Sequence, residues 1–153
     1  MIPLTAQFKL ILEKSCDESV VANLAQKIWQ TLLIEKSFCV WLIGDVGAGK
    51  THLIRAILRA AGLSDKIPVT SPTFAHVYEY KINHQFYLHA DLFRDAVSQE
   101  EISFPDQTLY KGSFIEWPTD NSGFPFEPTH KIEIDFLNDG ESRRYRFYQS
   151  RSF

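Results

Sequence analysis

The chain has 153 residues, of which 44% are hydrophobic and 23% are charged, and its formal net charge at pH 7 is -3. This length and composition predict a single globular domain over residues 1–153 with a substantial core. No apolar run approaches the roughly 18 residues of a membrane span, and no secretory signal is visible. We therefore expect a cytoplasmic protein that does not contact membranes. Its mild acidity argues against binding nucleic acid through charge alone.

The first third of the chain predicts a strand, a helix and a second strand. Residues 8–13 are predicted to form the first strand. The S-x-x-E pattern of residues 15–18 predicts a capping box, followed by an amphipathic helix that ends near Leu33. The apolar run Phe38–Ile43 has the length and composition of a buried strand.

Residues 44–51 follow that strand with the pattern G-x-x-x-x-G-K-T, which is a P-loop. Glycines let the backbone N–H groups wrap around phosphates, a lysine reaches the β- and γ-phosphates, and a hydroxyl holds magnesium. The alternative is a turn that binds nothing, but such a turn requires neither the lysine nor the hydroxyl. The residues predicted to bind the nucleotide here are Asp45, Val46, Gly47, Ala48, Gly49, Lys50 and Thr51.

Two further strands are predicted to end on a carboxylate. A turn at residues 71–73 leads into a hairpin with its tip at residues 83–84, and the returning strand ends on Asp91. A carboxylate there is typical of a Walker B element, which helps to hold magnesium; the alternative is an ordinary cap or turn residue. Glu116 closes the strand predicted over residues 112–118, and either contacts the metal and water or is a solvated strand end.

The last part of the chain predicts a β-hairpin and, before it, a short helix at residues 99–102. Residues 130–136 alternate, residues 138–140 supply the turn, and residues 143–148 return. The returning strand carries Arg143, Arg144 and Arg146. These arginines either form a solvated face or provide one contact to phosphate. The N-K-x-D guanine motif is absent from the sequence, which favours adenine as the base.

Several of these segments together resemble the TsaE (YjeE) family. That family comprises bacterial ATPases needed to make threonylcarbamoyladenosine in certain tRNAs. The segments occur in the family's order and rough spacing across nearly the whole chain. They are G-D-V-G-A-G-K-T at residues 44–51, S-P-T-F at 71–74, H-A-D-L-F-R at 89–94, E-E at 100–101 and I-E-W-P at 115–118.

The resemblance implies a fold, an activity and partners. The fold is an α/β, P-loop NTPase-like, three-layer arrangement with a mixed, partly parallel sheet flanked by helices. The activity is magnesium-dependent hydrolysis of ATP, slow in the isolated protein. The partners are TsaD and TsaB, which transfer the threonylcarbamoyl group. Given the net charge, no direct specific binding of tRNA is expected.

The resemblance also assigns roles to individual residues. Thr51 and Glu116 correspond to magnesium holders, and Asp91 to an acid near the metal and the water. Thr73 falls in a switch-like loop that faces the γ-phosphate. The catalytic residues implied are thus Asp91, Thr73 and Glu116.

Other residues are implied to surround the nucleotide. Trp117 corresponds to a residue close to the nucleotide, and Arg143 to an arginine that contacts it, with Arg146 as the alternative if the register slips. The family usually has a second threonine where this chain has His52.

Two rival functions belong to other classes. A small-molecule kinase shares the P-loop, but such kinases usually add an arginine-rich lid, and no such segment is obvious. A nucleotide-dependent interaction module, in which turnover is incidental, is the second rival.

Overall fold

A computed structural model of the protein describes residues 8–72, 77–93, 104–118 and 126–151. Its two helices are α1 (Val21–Leu33) and α2 (Lys50–Ala61). Single 3-10 turns occur at Glu18–Val20 and Gln107–Leu109. The strands are β1 (Phe8–Cys16), β2 (Phe38–Ile43), β3 (Val77–Ile82), β4 (Gln85–Asp91), β5 (Gly112–Glu116), β6 (His130–Phe136) and β7 (Arg143–Ser150).

All seven strands form one mixed sheet with the order β1-β7-β6-β2-β5-β4-β3. The four central strands, β6, β2, β5 and β4, are parallel. The other pairs are antiparallel: β7 pairs with β6, β1 with β7, and β3 with β4. Parallel strands are usually buried on both faces, and the apolar β2 at the centre follows that rule. The carboxyl ends of the four parallel strands meet at one edge of the sheet.

Both helices lie on the same face of the sheet and pack against each other there. Apolar residues at helical spacing form the buried stripe of α1: Val21, Leu24, Ala25, Ile28 and Leu32. A smaller core covers the opposite face. In the described ranges it is built from strand residues together with Phe104, Tyr110 and Phe126 of non-helical segments. These layers confirm the predicted α/β, P-loop NTPase-like fold class.

Several predicted boundaries agree with the structure, and one start signal was wrong. The strands β2 and β6 have the predicted bounds. The hairpin tip at Asn83 and His84 has positive φ at both residues. The predicted capping box is wrong because Ser15 lies in β1, paired with Arg144 of β7. Asp17 caps the following turn instead, accepting the Ser19 N–H at 2.9 Å. The predicted helix at 99–102 lies outside the described residues.

Two buried positions show how tightly the sheet is packed. Gly112 pairs with Phe38 across β5 and β2, and a Cβ added at Gly112 would lie 2.1 Å from the Phe38 ring. His130 begins β6 and is fully buried, stacked on Phe147 with ring centroids 5.4 Å apart. Burial lowers the pKa of His130 to about 4.

Neither helix of the described ranges is long and apolar enough to cross a membrane.

Candidate functional site

The P-loop joins β2 to α2 at the carboxyl edge of the parallel strands, where ligands bind in open α/β sheets. Gly47 and Gly49 have φ of 80° and 101°, a backbone region that favours glycine. A Cβ at Gly44 would lie 2.8 Å from the carbonyl oxygen of Ile134, so this glycine lets the loop approach β6 closely. Gly49 is the N-cap of α2, and no side chain caps that end within the described chain. The N–H groups and the positive end of α2 are therefore available to an anion.

Lys50, the first residue of α2, is 5% exposed. Its Nζ donates hydrogen bonds to the carbonyl oxygens of Gly44, at 2.5 Å, and Asp45, at 3.1 Å. The same ammonium lies 4.2 Å from the ring centroid of Trp117. Burial lowers the pKa of Lys50, and the nearby carboxylate of Glu116 offsets part of that shift. The lysine side chain thus folds back onto its own loop.

Glu116 ends β5 directly below α2 and is 3% exposed. The hydroxyl of Thr51 lies 3.0 Å from its Oε1 and 2.9 Å from its Oε2. The Nε2 of His89 lies 2.5 Å from the same Oε2. The alternative of a solvated strand end therefore does not describe Glu116, because its carboxylate is buried and hydrogen-bonded to two side chains.

Asp91 ends β4 beside Glu116, because the two residues pair across neighbouring parallel strands. Its Oδ1 accepts the N–H of Phe93 at 3.0 Å, and its Oδ2 accepts the hydroxyl of Ser71. The first of these bonds closes a local turn. The contacts of Asp91 therefore fit an ordinary turn residue as well as a residue that helps to hold a metal. Thr73, the third predicted catalytic residue, lies outside the described residues.

The oxygen donors of Thr51, Asp91 and Glu116 have the chemistry that magnesium prefers. Among the described residues, no cluster of three or more His, Cys, Asp or Glu side chains is arranged to hold a metal by itself. Two carboxylates and a hydroxyl nevertheless fit magnesium, because this ion keeps several waters and takes phosphate oxygens as ligands rather than filling an all-protein cage. The residues present thus fit a magnesium ion that arrives with a nucleotide.

The predicted loop residues border three cavities. Val46, Gly47, Gly49, Lys50 and Thr51 border a cavity of about 330 Å³ that also touches Asp91, Glu116 and Trp117. Asp45 and Trp117 border a second cavity of about 530 Å³. Ala48, which is buried, borders a third of about 250 Å³ together with Arg143 and His52.

Trp117 separates the first two cavities and adopts an uncommon backbone conformation. Its φ is 55°, a strained value for a residue with a large side chain. The ring packs on Phe93, with centroids 4.7 Å apart, and under the ammonium of Lys50. The structure therefore brings Trp117 to the side of the P-loop on which the Lys50 ammonium lies.

The two alternative arginines lie on opposite faces of β7. Arg143 borders the cavity beside the P-loop and lies 4.2 Å from the ring centroid of Phe136. Arg146 contacts Glu13 at 3.3 Å and Asp135 at 3.6 Å. Only Arg143 of this pair borders that cavity.

Sequence reasoning missed His89 and Ser71, which bond directly to the two predicted acids. A signal for His89 was present in the H-x-D spacing, since residues two apart on a strand share a face. Ser71 had no comparable signal, because its contact depends on how the chain returns to β4.

The sheet, the glycine-rich loop and the buried acids together define a P-loop α/β protein. A family model described as threonylcarbamoyl adenosine biosynthesis protein TsaE matches residues 15–146. The chain therefore belongs to the TsaE family, and its role lies in the biosynthesis of threonylcarbamoyladenosine in tRNA.

Individual relatives agree with this assignment. The tRNA threonylcarbamoyladenosine biosynthesis protein TsaE of Haemophilus influenzae is 34% identical over 133 residues, covering 82% of both chains. The protein of the same name from Nostoc is 30% identical over 135 residues, covering 84% of this chain and 78% of its own. The crystal structure of YdiB from Bacillus subtilis has a TM-score of 0.67 at 20% identity, covering 95% of this chain and 88% of that one, which supports the fold alone.

Proposed function

We propose that this protein binds ATP with magnesium and hydrolyses it slowly in the cytoplasm, and that it acts in tRNA modification through TsaD and TsaB. One observation carries the proposal. Lys50, Thr51, Asp91 and Glu116 come from three separate elements and line a single cavity beside the uncapped end of α2. A bare turn does not require a buried ammonium facing two buried carboxylates.

The phosphates are the group that this cavity fits best. The loop N–H groups and Lys50 supply positive charge, and phosphoryl transfer depends mainly on positioning and charge neutralisation. Lys50 must release the carbonyls of Gly44 and Asp45 to reach a phosphate. Its net contribution to affinity is therefore the difference between two sets of charge-assisted hydrogen bonds.

The acids have separate tasks in the proposed mechanism. Thr51 and Glu116 would hold magnesium, which would supply positive charge to neutralise the phosphates when bound. Asp91 lies beside Glu116 and orients the attacking water through its carboxylate. Trp117 covers the ammonium of Lys50 and separates the phosphate cavity from the larger cavity beside it. Arg143 contacts the nucleotide from the opposite side of the loop.

The partner proposal depends on family membership rather than on a surface of this chain. Slow turnover suits a switch, in which the bound nucleotide selects one arrangement of a loop and hydrolysis releases it. Ser71 precedes Thr73 by two residues in the sequence, and its hydroxyl donates a hydrogen bond to Asp91. We therefore expect the nucleotide state to control docking to TsaD and TsaB.

Reconstitution of tRNA modification tests the proposal. Purified TsaD, TsaB and the remaining components are assayed for threonylcarbamoyladenosine with wild-type chain, with Lys50→Ala, and with Lys9→Ala as a matched control on the exposed β1 strand. Product formation should require the wild-type chain or Lys9→Ala and should fail with Lys50→Ala. Full activity with Lys50→Ala, or activity independent of the chain, contradicts the proposal.

A further inference from the structure

We propose that His89 is a positioning residue that holds the carboxylate of Glu116 in place for the magnesium–nucleotide site. This inference rests on the proposed function. His89 lies on β4, two residues before Asp91, so both side chains project to the face that α2 covers. Glu116 lies on the neighbouring strand, in register with Asp91.

The direction of the hydrogen bond follows from the chemistry of its partners. The His89 imidazole is completely buried, and its Nε2 lies 2.5 Å from Oε2 of Glu116. An ionised carboxylate only accepts hydrogen bonds, so Nε2 carries the ring proton and donates the hydrogen bond.

This bond fixes which carboxylate oxygen is left for the metal. The Thr51 hydroxyl lies within hydrogen-bond distance of both oxygens of Glu116 but has a single proton to donate. Oε2 is also held by His89, whereas Oε1 contacts Thr51 alone in the described part of the chain. The terminal torsion of a glutamate is broad and two-fold. Among the described side chains, His89 alone bonds to a single oxygen of Glu116, so its loss removes the contact that selects one orientation of the carboxylate.

The other ring nitrogen shows that stability alone does not explain the histidine. The Nδ1 of His89 is buried and has no hydrogen-bond partner in the described ranges. An unpaired buried nitrogen destabilises the folded state, so an apolar side chain of similar size suits this position better for folding. The imidazole is therefore explained by its bond to Glu116 rather than by packing.

Three substitutions separate the donor from the ring. His89→Leu removes the donor, and His89→Gln restores an N–H donor at a reach comparable to Nε2. The amide of asparagine reaches only as far as Nδ1, so His89→Asn should behave like His89→Leu. If His89→Leu does not fold, His89→Asn is used in its place. His130→Leu is a matched control, because His130 is also fully buried but lies on β6, separated from β4 by the strands β5 and β2.

Binding of a fluorescent ATP analogue to the full chain is measured in EDTA and over a magnesium titration. In a second assay, electron paramagnetic resonance follows the binding of manganese in the presence of ADP. Loss of an outer hydrogen-bond partner of a metal ligand typically costs about 10–100-fold in metal affinity. We expect the half-saturating magnesium and manganese concentrations to rise by about that factor in His89→Leu. They should return toward the wild-type value in His89→Gln and stay unchanged in His130→Leu. Affinity in EDTA should be equal in all variants.

Unchanged magnesium dependence in His89→Leu overturns the inference. Equal losses with and without metal also overturn it, since they indicate a general structural role, and so does a lack of rescue by His89→Gln. If the wild-type chain itself shows no magnesium-dependent nucleotide binding, the proposed function fails instead.

Discussion

Asp91 has both a structural and a proposed chemical role, and two substitutions separate them. Alanine removes the bonds from Phe93 N–H and the Ser71 hydroxyl. A hydrogen bond to a charged group contributes about 1.5–3 kcal/mol. Loss of the charge beside Glu116 relieves some repulsion, so we take the lower end, about 3 kcal/mol for the pair of bonds. For a chain of this length that corresponds to a fall in Tm of roughly 6–12 °C.

Asparagine keeps the oxygen that accepts the Phe93 N–H, and its amide can donate to the Ser71 hydroxyl. The free energy of unfolding of Asp91→Asn should therefore stay within about 1 kcal/mol of wild type, a Tm change of roughly 2–4 °C. Both variants lose the carboxylate charge. If Asp91 orients water, turnover should fall by about 100-fold or more in each, while ATP affinity changes much less.

Thermal unfolding by circular dichroism, ATP hydrolysis and ATP binding are measured on both variants at a temperature at which both are folded. Wild-type turnover in Asp91→Asn refutes a role for Asp91 in the chemistry. Equal Tm values for the two variants refute the assignment of stability to these two bonds. Equal losses of binding and turnover in Asp91→Ala, with both retained in Asp91→Asn, indicate a purely structural role.

Three other outcomes are expected. Lys50→Ala should weaken ATP binding measured by calorimetry by about 30-fold, because the bonds of Lys50 to phosphate should exceed the carbonyl bonds that it releases by about 2 kcal/mol. Unchanged affinity argues against the site. Gly112→Ala should lower the free energy of unfolding by about 1–3 kcal/mol or more, because the added methyl group clashes with the Phe38 ring. Adding Phe38→Leu should restore part of the loss. If Gly112→Ala is not destabilised, Gly112 and Phe38 do not pack this closely. The free energy of unfolding should fall by up to about 3 kcal/mol as pH drops from 6.5 to 4, because His130 takes up its proton at a higher pH in the unfolded chain than in the folded one. The free energy measured by urea unfolding of His130→Leu should lack this pH dependence.

The elements that sequence predicted well are those with local signals. β2 is a continuous apolar run, and β6 alternates cleanly. The P-loop directly follows β2, so its position in the sheet was predictable too.

The parts that sequence did not predict depend on contacts between distant segments. The local S-x-x-E pattern predicts a helix start at Ser15, but the pairing of Ser15 with Arg144 of β7 extends β1 past this position. The bond between His89 and Glu116 requires the parallel register of β4 and β5, which no single stretch of sequence specifies. The return of Lys50 to its own loop likewise depends on the burial supplied by neighbouring strands.

The sheet order also has a consequence for how the chain folds during synthesis. In the described residues β1 is hydrogen-bonded to β7 alone, and β7 connects it to β6. Phe8 thus pairs with Ser150, across almost the whole sequence. Because synthesis runs from the amino terminus, β1 must wait as an unpaired strand until β7 has left the ribosome. A ribosome that stalls before β7 leaves β1 without its partner strand and leaves one edge of β6 unpaired, and exposed strand edges of this kind favour aggregation.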